Sequence, residues 1–224
     1  MTKNIALIFL LIFFLNPIIY SQSFMHENGD ILFQDLDTRL CNAIEKVTQG
    51  YNGSKFSHVG IIFLDNNNKP VVYETGSSVI CITPLKKFLA RSFDNKGKSK
   101  VVVGRLKEEF KKIIPQAFET SKKLIGKPFD IVFSLDNDAY YCSELVYTAF
   151  KNPDTKKSIF PVNKMTFKDP ATGKLMKIWE NYFSRLGIPV PEGKPGVNPG
   201  AISRSKHLQI IRPYGTPTGW RNER

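Results

Sequence analysis

Apolar and polar positions along this chain follow two periods, and the switches between them divide it into strands and helices. Ile31 to Gln34 follows the turn Asn28-Gly29-Asp30 and reads as a short strand. Ser57-His58-Val59-Gly60-Ile61-Ile62-Phe63-Leu64 is a β-branched apolar run. The polar turn Asp65 to Pro70 then leads into Val71-Val72-Tyr73-Glu74-Thr75, which makes a β-hairpin. Val79 to Ile82, Lys100 to Arg105 and His207 to Ile211 are further strands. Helical spacing appears at Leu36, Leu40, Ile44 and Val47, with Asp35 as the expected cap. Thr83-Pro84 reads as the cap and first residue of a short helix to about Arg91. A helical stretch ending at Ile125 is kinked or restarted at Pro115 and stopped by Gly126. Leu145, Val146, Ala149 and Phe150 mark another helix. So do Leu175, Ile178, Trp179, Tyr182, Phe183 and Leu186, closed by Gly187. Neither a repeat nor a linker interrupts the pattern. It predicts one α+β domain that turns loop-rich from about residue 151.

The first 21 residues change the picture of where the chain works. Lys3 precedes an unbroken apolar run from Ile5 to Leu15, and Ser21 is small enough for cleavage before Gln22. That is the pattern of a secretory signal peptide, and Asn16-Pro17 argues against a spanning helix. The expected mature chain, 22–224, is exported to the periplasm or beyond, and its roughly 200 residues suffice for a full core. Loss of Lys3 lowers the formal charge from +12 to +11, which suits peripheral contact with an anionic envelope. Interleaved aromatic and basic motifs are missing, so nucleic acid is not an expected partner. Three cysteines leave an odd one: Cys41 and Cys81 can pair, or all three can be free. With no Cys-x-x-Cys and only His26, His58 and His207, neither a zinc site nor a cofactor is expected. Asp136, Asn137 and Asp138 lack the glycine and distal glutamate of a calcium loop, and read as the turn and cap before the next helix.

Candidate chemistry centres on Cys142, in Tyr140-Tyr141-Cys142-Ser143-Glu144-Leu145-Val146. The apolar spacing places it in a first helical turn, where unpaired N–H groups and the helix dipole favour a thiolate. The plainer reading is a small buried hydrophobe. A nucleophile needs a base and a group that orients the base. If Leu64 pairs with Pro70, Ile62 faces Val72 and Gly60 faces Glu74. His58 and Glu74 then become diagonal neighbours on one sheet face, with Cα atoms ~7–8 Å apart. A slip of one residue would separate them. Against this stand a satisfied strand histidine and an ordinary sheet-edge carboxylate.

Ser57-His58-Val59-Gly60-Ile61, Tyr73-Glu74 and Tyr141-Cys142-Ser143-Glu144-Leu145-Val146 together resemble the YiiX-like branch of the NlpC-type papain-fold peptidases. Gly126-Lys127-Pro128-Phe129-Asp130 is similar to the lead-in of NlpC-type domains, with Phe129 where tyrosine is usual. Pro189-Val190-Pro191-Glu192-Gly193 through Asn198-Pro199-Gly200 resembles the C-terminal extension of the branch. The resemblance implies a circularly permuted papain-like fold, an antiparallel sheet with the nucleophile helix packed on it. It also implies roles: Cys142 as nucleophile, His58 as general base and acid, Glu74 as the orienting residue.

The expected activity is therefore a cysteine amidase or peptidase working through an acyl-enzyme, on cell-wall or other peptides. The Cys142 backbone N–H is one expected oxyanion donor; Tyr140, Tyr141 and Tyr51 are candidates for a second. A lipid acyl hydrolase or acyltransferase with the same triad is the first alternative. The apolar helix Leu175 to Leu186 would then border a lipid site, although a core-facing stripe is its plainer meaning. A catalytically silent envelope-binding domain is the second.

Overall fold

The computed structural model describes residues 24–221. The expected signal peptide lies wholly outside them, and so does its cleavage point. Strand β1 (Ile31–Gln34) is buried at all four positions because it lies in the middle of the main sheet. Helix α1 (Arg39–Val47) follows, and β2 (His58–Leu64) and β3 (Pro70–Thr75) form the expected hairpin. Next come β4 (Ile80–Pro84), α2 (Leu85–Leu89), β5 (Val101–Leu106) and α3 (Ile114–Leu124). After them come α4 (Cys142–Ala149), β6 (Asn163–Lys164), α5 (Lys177–Arg185), β7 (Pro195–Gly196), α6 (Pro199–Ser203) and β8 (Leu208–Pro213).

The main sheet is antiparallel with strand order β4-β3-β2-β1-β5-β8, and β6 and β7 form a separate two-stranded ribbon. Side-chain alternation gives the main sheet two buried faces. On one, Phe33, Val59, Ile61, Phe63 and Val102 pack against α3 and α4, including Ala117, Val146 and Phe150. On the other, Leu32, Ile62, Val72 and Val103 pack against Phe88 of α2. A third cluster joins Ala43 of α1 to Phe167, Trp179 and Phe183. The residues after 151 are thus not an appendage: β8 completes the main sheet, and α5 packs through the third cluster.

Three local readings are corrected. Asp35 does not cap α1: Thr38 does, accepting from the Cys41 N–H. Asp35 is instead held by Lys100 and by the Thr218 N–H. Thr83-Pro84 ends β4, and α2 opens one residue later than the sequence suggests: Thr83 pairs with Val72 in the sheet, while Pro84, opposite Val71, is the cap and Leu85 the first helical residue. Asp136 to Asp138 form a turn, with Asn137 accepting from the Ala139 N–H, but the residue that caps α4 is Tyr141. Pro115 restarts rather than kinks its helix, as it lies in the first turn of α3 after a separate 3₁₀ segment.

Candidate active site

The β2–β3 hairpin has the register the sequence requires, Leu64 opposite Pro70 and Ile62 opposite Val72. Continued by two residues, it sets Gly60 opposite Glu74 and puts His58 diagonal to Glu74 on one face. His58 Nε2 meets Glu74 Oε2 at 2.6 Å. Gly60 makes this possible. A Cβ there would stand 2.5 Å from Val72 Cγ1 and 3.3 Å from the Phe88 ring. The space left open admits Phe88, whose ring lies 5.7 Å from the His58 ring.

Cys142 arrives from the other side of the sheet as the first residue of α4. Tyr141, the cap, has extended backbone and makes no side-chain cap bond, so the helix start keeps its N–H groups for an anion. Cys142 Sγ lies 3.9 Å from the Ser57 carbonyl, next to His58. Burial opposes the imidazolium of His58, but hydrogen bonding and charge from Cys142 and Glu74 outweigh it and raise the pKa to about 9. Glu74 is fully buried. Burial alone would raise its pKa; hydrogen bonds from His58 and Arg91 prevail and hold it at about 2.

Arg91 is the residue that sequence reasoning missed. Its Nη1 donates to Glu74 Oε2 at 2.6 Å and its Nη2 to Oε1 at 2.5 Å, a bidentate pair. Its guanidinium also lies 5.1 Å from the Phe88 ring centre. No spacing announces it, because it stands just beyond α2 and reaches β3 only through the tertiary fold.

The three tyrosines fare differently. Tyr141 lines the cavity beside Cys142, and its hydroxyl accepts from the Val197 N–H at 3.0 Å; burial raises its pKa. Tyr140 packs with Ile80, Leu124 and Leu145, and Tyr51 packs against Trp220. Neither lines the cavity, so the structure does not bring them to the thiol. His26 is tied to Asp30 and Tyr214, and His207 to the Ile159 carbonyl. Cys41, Cys81 and Cys142 are all free thiols.

Cys142, His58 and Ser57 open onto a cavity of about 230 Å³. Its walls are predominantly apolar: Leu40 and Ile44 from α1, Phe129 and Phe133 from the loop before α4, and Phe167 and Trp179 from the C-terminal part. A cysteine at a helix start, set against an antiparallel sheet carrying its histidine and acid on adjacent strands, defines the papain-like class. Here the order is permuted, with the histidine strand before the cysteine helix. The chain belongs to the permuted papain-like amidase family of YaeF and YiiX, family C92, whose model matches residues 25–212. It is 34% identical over 126 residues to the uncharacterized protein YiiX of Escherichia coli K12, a match covering 56% of this chain and 58% of that protein's length. It also resembles the crystal structure of YiiX from Escherichia coli O157:H7, with TM-score 0.67 and 27% identity, covering 86% of this chain and 99% of the other.

That YiiX is described as a metalloprotein. Among the described residues here, no group of three or more His, Cys, Asp or Glu side chains is arranged to hold a metal ion. Both Glu74 oxygens and His58 Nε2 are already engaged. The donor set does not fit a metal.

Proposed function

We propose that this protein is a cysteine amidohydrolase that seats an apolar acyl group in the cavity beside Cys142. The observation that carries the reading is the His58–Glu74 pair at 2.6 Å, next to a thiol that begins α4 and faces an apolar cavity. Glu74 holds Nε2 of His58, which leaves Nδ1 for Cys142. The Cys142 proton passes to His58, and the thiolate attacks the amide carbonyl to form a C–S bond. The Cys142 backbone N–H supports the oxyanion. As the C–N bond breaks, His58 gives its proton to the departing amine. Water, deprotonated by His58, then cleaves the thioester, releasing the acid and restoring the thiol.

The leader-like N-terminus and the basic charge favour an exported enzyme acting in the envelope. Wall peptides fit that location, but the cavity favours amides whose acyl side is apolar, whether a fatty acyl group or a bulky hydrophobic residue. The same observation supports a second reading, hydrolysis of acyl esters.

One assay separates these readings: purified protein is offered N-acyl amides, the matching acyl esters and wall peptides, with Cys142→Ala as control. Cys142-dependent amide cleavage that favours apolar acyl groups is the expected result. Cleavage confined to esters would transfer the assignment to the second reading, and inactivity on all three would overturn both.

A further inference from the structure

We propose that Phe133 is the specificity wall of the cavity, fixing how far an acyl group extends from Cys142 towards α5; the inference rests on the apolar-acyl reading above. Phe133 has φ +56°, in the left-handed region. Among the described residues the other non-glycine positions there are Asn52, Asn68 and Lys156. Asparagine tolerates that region, whereas a bulky aromatic residue is strained in it. A glycine would relieve the strain but would lose the ring.

The loop around Phe133 is built to hold this conformation. Asp130 is 1% exposed, and its two oxygens accept from the Val132 N–H at 2.8 Å and the Ser134 N–H at 2.6 Å. Tyr182 of α5 donates its hydroxyl to the Ile131 carbonyl at 2.8 Å. Phe133 is thereby fixed between α4 and α5, two of the helices that border the cavity. Its ring centre lies 5.5 Å from that of Tyr141, which caps the Cys142 helix, and 5.9 Å from Trp179 of α5. The ring lines the same cavity as Cys142. Simple core packing would explain the aromatic neighbours, but it would not require a strained backbone or a buried aspartate spent on holding a loop. Both follow if the ring must stand at a set distance from the thiol. Asp130 also gives a use to the Gly126-Lys127-Pro128-Phe129-Asp130 segment that the catalytic chemistry does not.

The test is a series of chromogenic N-acyl anilides of rising chain length, read in wild type, Phe133→Ala and Asp130→Ala. Wild type should show a length beyond which kcat/KM falls. Phe133→Ala should raise the ratio of kcat/KM for long over short chains by at least roughly tenfold, the scale on which a pocket senses a methylene or two. Asp130→Ala, which keeps the ring but frees the loop, should move the ratio in the same direction by less. A merely structural role would lower both substrates together and leave the ratio unchanged, which would overturn the inference. If wild type cleaves none of the series, the amidase reading fails. In that event the wall is read from binding of alkanoic acids of graded length to Cys142→Ala protein, with and without Phe133→Ala. A length limit that moves with Phe133→Ala sustains it. A limit that stays, or no chain binding, overturns it.

Discussion

Glu74 is a carboxylate with no exposed surface, kept ionised by two partners of different purpose: His58, which takes part in the proposed chemistry, and Arg91, which does not. Removing Arg91 leaves buried carboxylate oxygens short of a partner, a loss of about 1–3 kcal/mol. Arg91→Ala should therefore lower both the melting temperature and kcat. Arg91→Lys, with charge but without the two-pronged geometry, should recover only part; full recovery would show that charge alone suffices. The pH dependence of stability follows from the same residues. His58, raised from 6.5 to about 9, contributes stability that is complete below pH 6.5 and is lost as pH climbs through about 9. Glu74, lowered from 4.5 to about 2, contributes stability that is complete above pH 4.5 and is lost as pH falls through about 2. Glu45 and Glu144 are raised from 4.5 to about 7 and about 8, chiefly by burial, and their contributions also fade as pH rises. Calorimetric melting temperatures should thus peak near pH 4.5 and fall on the alkaline side, first as the two glutamates ionise and then, above about 6.5, as His58 loses its proton. In His58→Ala the alkaline decline should shrink to the part due to the two glutamates. An equal decline in that variant would contradict the His58 assignment.

At the scale of elements, the β2–β3 hairpin decides whether a site exists, and Gly60 decides whether the hairpin can carry one. A methyl at Gly60 would meet Val72 Cγ1 at 2.5 Å and crowd Phe88, the ring beside His58. Gly60→Ala should destabilise the fold by about 1–3 kcal/mol in denaturant titrations, with activity falling further than stability. An unchanged midpoint would mean that the crowding relaxes without cost. The hairpin register was readable in the sequence because a polar turn of fixed length joins two strands whose buried sets admit one alignment. The start of α1 was not. Asp35 has the chemistry of a cap, and only the fold reveals that Lys100 and the Thr218 N–H claim it while Thr38 caps. Thr83 misled in the same way: its capping chemistry gave way to pairing with Val72 of β3, and Pro84 takes the cap of α2 instead. In each case a distant partner outbid a local preference.

The whole molecule adds what no single segment discloses, the cavity. Its walls come from α1, the loop before α4, the start of β2 and the C-terminal part, so their shared surface has no signature in any one stretch. The stripe along α5 showed the limit: it reads as core-facing, and Trp179 does lie in a buried cluster, yet the same residue lines the cavity. Arg91 and the strained Phe133 were invisible for the same reason, each acquiring its role through residues far away in sequence. Cys142, His58 and Glu74 could be named in advance because hairpin spacing and helix phase are local properties. Whether they act together is a property of the assembled site, and the most direct measurement is the pH dependence of iodoacetamide alkylation at Cys142, against Cys41 and Cys81, in wild type and His58→Ala. The account predicts that Cys142 reacts fastest of the three at neutral pH, and that this advantage disappears in the variant. Alkylation of Cys142 at the rate of the other two cysteines, indifferent to His58, would contradict it.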